Sequence, residues 1–292
     1  MPSDIYQSIA ASLDGQLTLP SDDLTTARNK MNALHYRPLA AGTTVEWRDF
    51  KGSSYAIVSS ASLTEPHRYL LYIHGGAFIA GDGEGFLFYA EMLSEHFNAT
   101  VALVDYRLAP EHRFPAALND CCRVYQALLE QGVPAKSIGF IGDSCGGGLV
   151  LSSLFKLRDE GADLPSCGLS LCGWLDLASD SPDKDPLYDQ GYTHRRGLDY
   201  AGDADLTQAY ISPLYGELDK LPPLLLQVGE SDPTRKHAEA LLAKAKAAKQ
   251  AVSLELSTHM PHGFHGFAAM GMPESLQALQ RARHFYDSCL KH

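Results

Sequence analysis

Nowhere does the chain carry an apolar run approaching the ~18 residues that span a membrane, so a membrane-embedded function is not expected. The first residues lack a basic stretch followed by an apolar one, and no secretory signal is read there. Cysteine is sparse. There are six in 292 residues, two of them adjacent at Cys121 and Cys122, and no Cys-x-x-Cys. This does not read as a disulfide framework; it fits reduced thiols in the cytoplasm. Basic residues are in deficit, 24 against 35 acidic, for a net charge of −11. The basic face that nucleic acid or anionic lipid requires is therefore not expected. Repeats, low-complexity tracts and long linkers are lacking too. No Gly-Lys-Ser/Thr occurs, so a Walker-type phosphate loop is excluded.

What remains has the make-up of an ordinary globular protein, with 45 % apolar and 20 % charged residues. The length allows one large α/β domain or two smaller ones. Short apolar strands alternate with helical patterns. Thr44–Phe50 and Tyr55–Ser59 read as two strands joined by a turn at Lys51-Gly52. Tyr69–Ile73, Val101–Val104, Ile138–Ile141, Leu169–Cys172, Leu224–Val228 and Val252–Leu256 are six more. Most of these six are nearly continuous apolar runs, as suits a parallel sheet covered on both faces. Ala117, Cys121, Val124 and Leu128 share one helical face. Ala238, Leu241, Leu242, Ala245 and Ala248 form a second stripe, and Leu276, Leu279, Ala282, Tyr286 and Cys289 a third. The alternation predicts an open α/β sheet with right-handed crossovers. Residues 1–43 and 178–221 fall outside it. Because ligands of such sheets bind beyond the carboxyl ends of the strands, both segments are expected to cap that edge.

The strand Ile138–Ile141 runs into Gly142-Asp143-Ser144-Cys145-Gly146-Gly147-Gly148, and a helical run follows. This is Gly-x-Ser-x-Gly at a strand-to-helix turn. Such a turn lifts a serine hydroxyl above the sheet, with the free amides of a helix N-terminus behind it. Upstream, Tyr69–Ile73 ends in His74-Gly75-Gly76-Ala77-Phe78, a loop whose amides can face a site unobstructed. A serine needs a base, and the base needs a carboxylate to orient it. Gly229-Glu230-Ser231-Asp232-Pro233 and His259-Met260-Pro261-His262-Gly263-Phe264-His265 each follow the end of a strand, so both reach the edge that carries Ser144. His259, His262 and His265 are spaced by three, but Pro261 and Gly263 argue against the helix that would align them on a metal.

Together, His74-Gly75-Gly76-Ala77-Phe78, Tyr106-Arg107-Leu108-Ala109-Pro110-Glu111-His112, Gly142-Asp143-Ser144-Cys145-Gly146-Gly147, Asp232-Pro233 and His262-Gly263-Phe264 resemble the bacterial hormone-sensitive-lipase-like esterases over roughly residues 45–290. The resemblance implies a single α/β-hydrolase domain over 1–292: an eight-stranded, mostly parallel sheet flanked by helices, with a helical cap from about 1–43 and 178–221. It implies Ser144 as nucleophile, His262 as base and Asp232 as orienting acid. His262 is preferred to His265, and Asp232 to Glu230. The oxyanion hole falls on Gly75, Gly76 and Ala77 with Cys145. That family usually has a third glycine at position 77 and alanine at position 145. Cys145 is expected to pack as a small apolar group, the alternative being a thiol that makes the enzyme sensitive to oxidants or mercurials. Related sequences often carry Leu and an acidic residue after Asp-Pro; Thr234-Arg235-Lys236 stands here, which questions the support of Asp232. Glu111 and Asp143 are expected to brace the elbow and loops, and His74 to be structural. Phe78, Phe86, Phe88, Tyr89 and Trp174 are candidate pocket walls. The implied activity is carboxylesterase hydrolysis of short-chain acyl esters, with no cofactor and no metal, in the cytoplasm. A homodimer is left open. Lactonase or amidase chemistry on the same triad, and a non-catalytic small-molecule receptor, are the alternatives.

Overall fold

A computed structural model describes residues 2–13, 22–33, 35–179 and 192–290. Its strands are β1 (Thr44–Phe50), β2 (Ser53–Ser59), β3 (Tyr69–Ile73), β4 (Thr100–Asp105), β5 (Ile138–Asp143), β6 (Cys167–Leu171), β7 (Leu224–Gly229) and β8 (Val252–Ser257). They form one eight-stranded sheet in the order β1-β2-β4-β3-β5-β6-β7-β8. β1, β2 and β4 pair antiparallel. Every later pairing is parallel. The largely parallel sheet is what the strand runs predict, and its α/β-hydrolase arrangement is what the resemblance implies.

The helices are α1 (Asp4–Leu13), α2 (Leu24–Ala33), α3 (Gly83–Phe97), α4 (Ala116–Glu130), α5 (Cys145–Asp159), α6 (Tyr192–Ala201), α7 (Arg235–Ala247) and α8 (Pro273–Cys289). Alternation along the strands divides the core between the two faces of the sheet. Leu71, Ile73, Val104 and Phe140 pack with residues of α4, α5 and α7. Leu70, Tyr72, Val101, Leu103 and Ile141 pack with residues of α3 and α8. β3 to β7 are buried on both faces, which explains their unbroken apolar runs. β8 departs from that pattern: as the edge strand it alternates half-buried and exposed positions.

Three helices lie in the segments outside the alternation. α2 is tied to the sheet edge by Arg28, which donates to the carbonyls of Ile79 at 2.6 Å and Ala109 at 2.9 Å. At the start of α1, Ser3 donates to Glu274 of α8 through its N–H and its hydroxyl, at 2.8 and 2.9 Å. α6 brings the Tyr200 ring onto Phe78, with ring centroids 3.8 Å apart. Within the expected cap segment 178–221, residues 180–191 lie outside the described residues.

Candidate active site

The elbow is built by close approach. Gly146 opens α5 directly over the end of β3, where a Cβ would lie 2.0 Å from the Ile73 carbonyl oxygen. Only glycine fits. Ser144 between strand and helix has φ 55° and ψ −123°, a backbone that a non-glycine residue adopts at a cost. It is held there on both sides: the Ser144 N–H donates to Leu171 O at 2.9 Å, and Ser144 O accepts from Trp174 N at 2.9 Å.

Asp232 follows β7 and His262 follows β8, and parallel pairing brings both to the end where β5 delivers Ser144. His262 Nε2 lies 2.9 Å from Ser144 Oγ, and its Nδ1 lies 3.0 Å from both Asp232 oxygens. An ionised carboxylate only accepts, so Nδ1 carries the ring proton. Nε2 is then bare and accepts the serine O–H. Asp232 is 2 % exposed and His262 8 %. Burial alone would raise the Asp232 pKa; the His262 ring opposite, with bonds from Thr234 and Cys172, holds it below the ordinary value. Thr234 supplies both its N–H (2.7 Å) and its hydroxyl (2.8 Å) to Asp232 Oδ1. The departure at position 234 is thus itself the support of the carboxylate. Asp followed two residues later by Thr is the signature of a turn closed by the aspartate side chain, and the sequence carries it.

The competing residues are engaged elsewhere. Glu230 is exposed and accepts the His259 N–H at 2.9 Å. His265 is fully buried, with Nε2 on Gln227 Oε1 at 3.1 Å, and burial drives it down to about 3. The three spaced histidines therefore face different partners. Among the described residues, Cys172, Asp232 and His262 offer ligand atoms within 4.8 Å of one another, but two of the three are bonded together as triad members.

The loop after β3 corrects one assignment. The Gly75 N–H donates to Asp143 Oδ1 at 3.1 Å, so it is not available to an oxyanion. Among the described residues, the amides of Gly76, Ala77 and Cys145 have no backbone or carboxylate acceptor, although the Ala77 N–H also faces the Cys145 thiol. Asp143 also accepts the Tyr72 hydroxyl at 2.8 Å; burial raises its pKa to about 6 against these bonds. Tyr106 O–H donates to His74 O at 2.9 Å, and Arg107 grips the buried Asp120 of α4, so the Tyr106-Arg107 pair fastens neighbouring loops. His74 stacks between Phe86 and Tyr106 and is held down to about 4 by burial, in keeping with a structural role.

The aromatic candidates separate. Phe86 lies between the rings of His35 (4.2 Å) and His74 (4.5 Å), and Tyr89 stacks on Tyr72 at 5.2 Å. With Phe88, both pack in the core cluster that α3 builds on this face of the sheet. Phe78 and Trp174 lie on the other face, 5.8 Å apart between ring centroids, each attached to a segment bonded to the elbow.

A family model described as the alpha/beta hydrolase fold matches residues 70–266. The chain belongs to that family. The hydrolase is 34 % identical over 224 residues to an acetyl-hydrolase of Streptomyces hygroscopicus, covering 75 % of each chain. It superposes with a TM-score of 0.92 on EstE5 soaked with p-nitrophenyl butyrate, at 31 % identity over 99 % of this chain and 100 % of that one. It matches an esterase of the bacterial hormone-sensitive-lipase family equally well, at 29 % identity over 99 % of both chains. The hydrolase is closely related to that family, and Ser144, His262 and Asp232 form its Ser-His-Asp triad.

Proposed function

We propose that this hydrolase is a carboxylesterase acting on esters of short acyl chains. The observation that carries the reading is the 2.9 Å contact between His262 Nε2 and Ser144 Oγ, with Asp232 behind the ring. His262 takes the hydroxyl proton as Ser144 Oγ bonds to the ester carbonyl carbon. The negative charge that develops on the carbonyl oxygen meets the amides of Gly76, Ala77 and Cys145, the last at the positive end of α5. His262 returns the proton to the leaving alcohol, and an acyl-serine remains. Water, deprotonated by the same imidazole, attacks the acyl carbon and releases the acid and free serine. No step calls on a cofactor.

The acyl end is assigned to the space bounded by Phe78, Trp174 and Tyr200. Large rings close to the elbow would limit the acyl group to a short chain, a reading supported by the acetyl-hydrolase relative and by the butyrate ester soaked into EstE5. Residues 1–43 and 178–221 are assigned to the cap, supported by the bonds of Arg28 and the stacking of Tyr200. No described helix is long and apolar enough to cross a membrane. A cytoplasmic location is proposed on the six free thiols, and the charge of −11 weighs against nucleic acid. The complete triad favours catalysis over a receptor. Sedimentation of the purified enzyme decides between monomer and homodimer.

A p-nitrophenyl ester series from acetate to dodecanoate tests the reading. Turnover is expected to peak between acetate and hexanoate and to fall by about 10⁴-fold or more in Ser144→Ala. A peak at decanoate or beyond overturns the short-chain assignment. Activity that survives in the alanine variant overturns the nucleophile.

A further inference from the structure

We infer that the Cys145 thiol is a positioning residue that sets the oxyanion loop. This rests on the assignment of the Gly76, Ala77 and Cys145 amides made above. Cys145 serves that assembly twice. Its main-chain N–H is one donor, and its side chain reaches across to the loop that carries the other two. Sγ accepts the Phe78 N–H at 3.2 Å. It lies 3.7 Å from Tyr106 Oη and 4.0 Å from His74 O. The residue is fully buried. Burial also pushes the thiol up to about 12, so it stays protonated and acts as an acceptor rather than as a reactive thiolate.

The loop needs such a hold. Gly76, Ala77 and Phe78 have φ of 111°, 52° and 64°. Two consecutive non-glycine residues in the left-handed region persist only where their surroundings over-determine them. Successive amides in this conformation point into one concavity. The third of them, Phe78 N–H, is taken by the thiol, which the Ala77 amide also faces, so Sγ sits directly against the donors offered to a ligand oxygen. The Phe78 carbonyl is fixed in turn by Ala109 N–H at 2.9 Å. Without Sγ, the Phe78 amide would be buried and unpaired, and the loop would be free to leave its strained conformation.

The test compares Cys145→Ala and Cys145→Ser with the wild type. In the alanine variant, kcat on p-nitrophenyl acetate is expected to fall about 10- to 100-fold with KM within twofold, because a displaced donor affects the oxyanion and not the bound ester. Affinity for an aliphatic trifluoromethyl ketone, which adds to serine as an oxyanion, should fall by the same factor. Hydrogen exchange of the peptide spanning residues 75–80 should accelerate. Serine, which keeps an acceptor, should restore most of each quantity. An alanine variant with wild-type kcat and unchanged exchange overturns the inference, and so does equal loss in both variants. If alanine does not fold, serine alone decides: wild-type exchange at 75–80 supports the inference and faster exchange overturns it. The underlying oxyanion assignment is read separately on the wild type, which should bind the trifluoromethyl ketone at least 100-fold tighter than the matching methyl ketone. Failure there removes the assignment, whatever the variants do.

Discussion

Thr234 gives both of its hydrogen-bond donors to a single oxygen of Asp232, Oδ1, while the His262 ring faces both oxygens of the same carboxylate. A buried carboxylate with this many donors is fixed in direction as well as in charge. Thr234→Val keeps the N–H and the shape but removes the hydroxyl. The His262 ring, the Thr234 N–H and Cys172 hold the Asp232 pKa down, and the variant removes the further donor that the hydroxyl gives to the same oxygen. A carboxylate with a depressed pKa contributes stability that is present above its unfolded value and lost as pH falls through the folded value. Loss of a donor to the ionised form moves that folded value up, so acid unfolding should set in at a higher pH. A kcat decrease of about 3- to 10-fold at pH 7.5 is expected. An unchanged acid midpoint of unfolding in Thr234→Val would sink this account.

The paired histidines of the repeated His-Gly-Phe offer a direct contrast. His262→Ala removes the base and should lower kcat by about 10⁴-fold or more with little change in melting temperature. His265→Ala should behave in reverse. It leaves a cavity and strips Gln227 Oε1 of its partner, at a cost of about 2–4 kcal/mol. Its kcat should stay within about tenfold of wild type, because His265 is hydrogen-bonded to Gln227 and approaches Cys172, 3.8 Å from its Nδ1, rather than the reacting atoms. Denaturant unfolding together with ester turnover separates the two outcomes.

Much of this site was legible in the chain. The apolar runs of β3 to β7 and the Gly-x-Ser-x-Gly turn located the sheet edge, and strand order then brought Asp232 and His262 to Ser144. What escaped depends on which way a group points. Gly75 and Gly76 are indistinguishable as letters, yet one amide is consumed by Asp143 and the other is free. Phe86 and Tyr89 follow a site-forming loop in sequence, but α3 turns them under the sheet, and periodicity alone does not say against which neighbour. Arg28 left no trace at all. A single arginine in a polar helix gains meaning only from the two distant carbonyls it reaches.

Buried neutral histidines make a prediction about acid stability. His74 and His265 are both fully buried and held down to about 4 and about 3 by desolvation. Between the unfolded value near 6.5 and those folded values, the unfolded chain binds protons that the native chain does not, so stability falls as pH falls. Asp143, raised to about 6 by burial, opposes this by holding a native proton that the unfolded chain releases. His35, also held down to about 4 by burial, adds to these histidine contributions, and His265→Gln removes one of them. The pH dependence of its unfolding free energy between pH 6 and 4 should be shallower than that of the wild type by about 1.4 kcal/mol per pH unit. Parallel slopes for the two proteins would show that His265 is already charged in the native state.

Arg28 and Glu111 make a bidentate contact at 2.6 and 2.8 Å, yet the ion pair is the lesser part of what Arg28 does. The Glu111 side chain is 54 % exposed, although Arg28 draws its pKa down to about 2. Solvent screening limits an exposed pair of this kind to about 0–1 kcal/mol. Arg28 also donates to Ile79 O and Ala109 O, which flank the Phe78 segment from opposite sides. Arg28→Ala should therefore cost about 2–3 kcal/mol of stability and lower kcat several-fold, because both carbonyls lose a charged donor next to the oxyanion loop. Glu111→Ala should cost less than about 1 kcal/mol and leave kcat within twofold. In a double-mutant cycle the coupling energy should stay below about 1 kcal/mol, and the double variant should resemble Arg28→Ala. If Glu111→Ala proves as damaging as Arg28→Ala, the ion pair itself holds α2 to the site, and the role given to the two carbonyls is wrong.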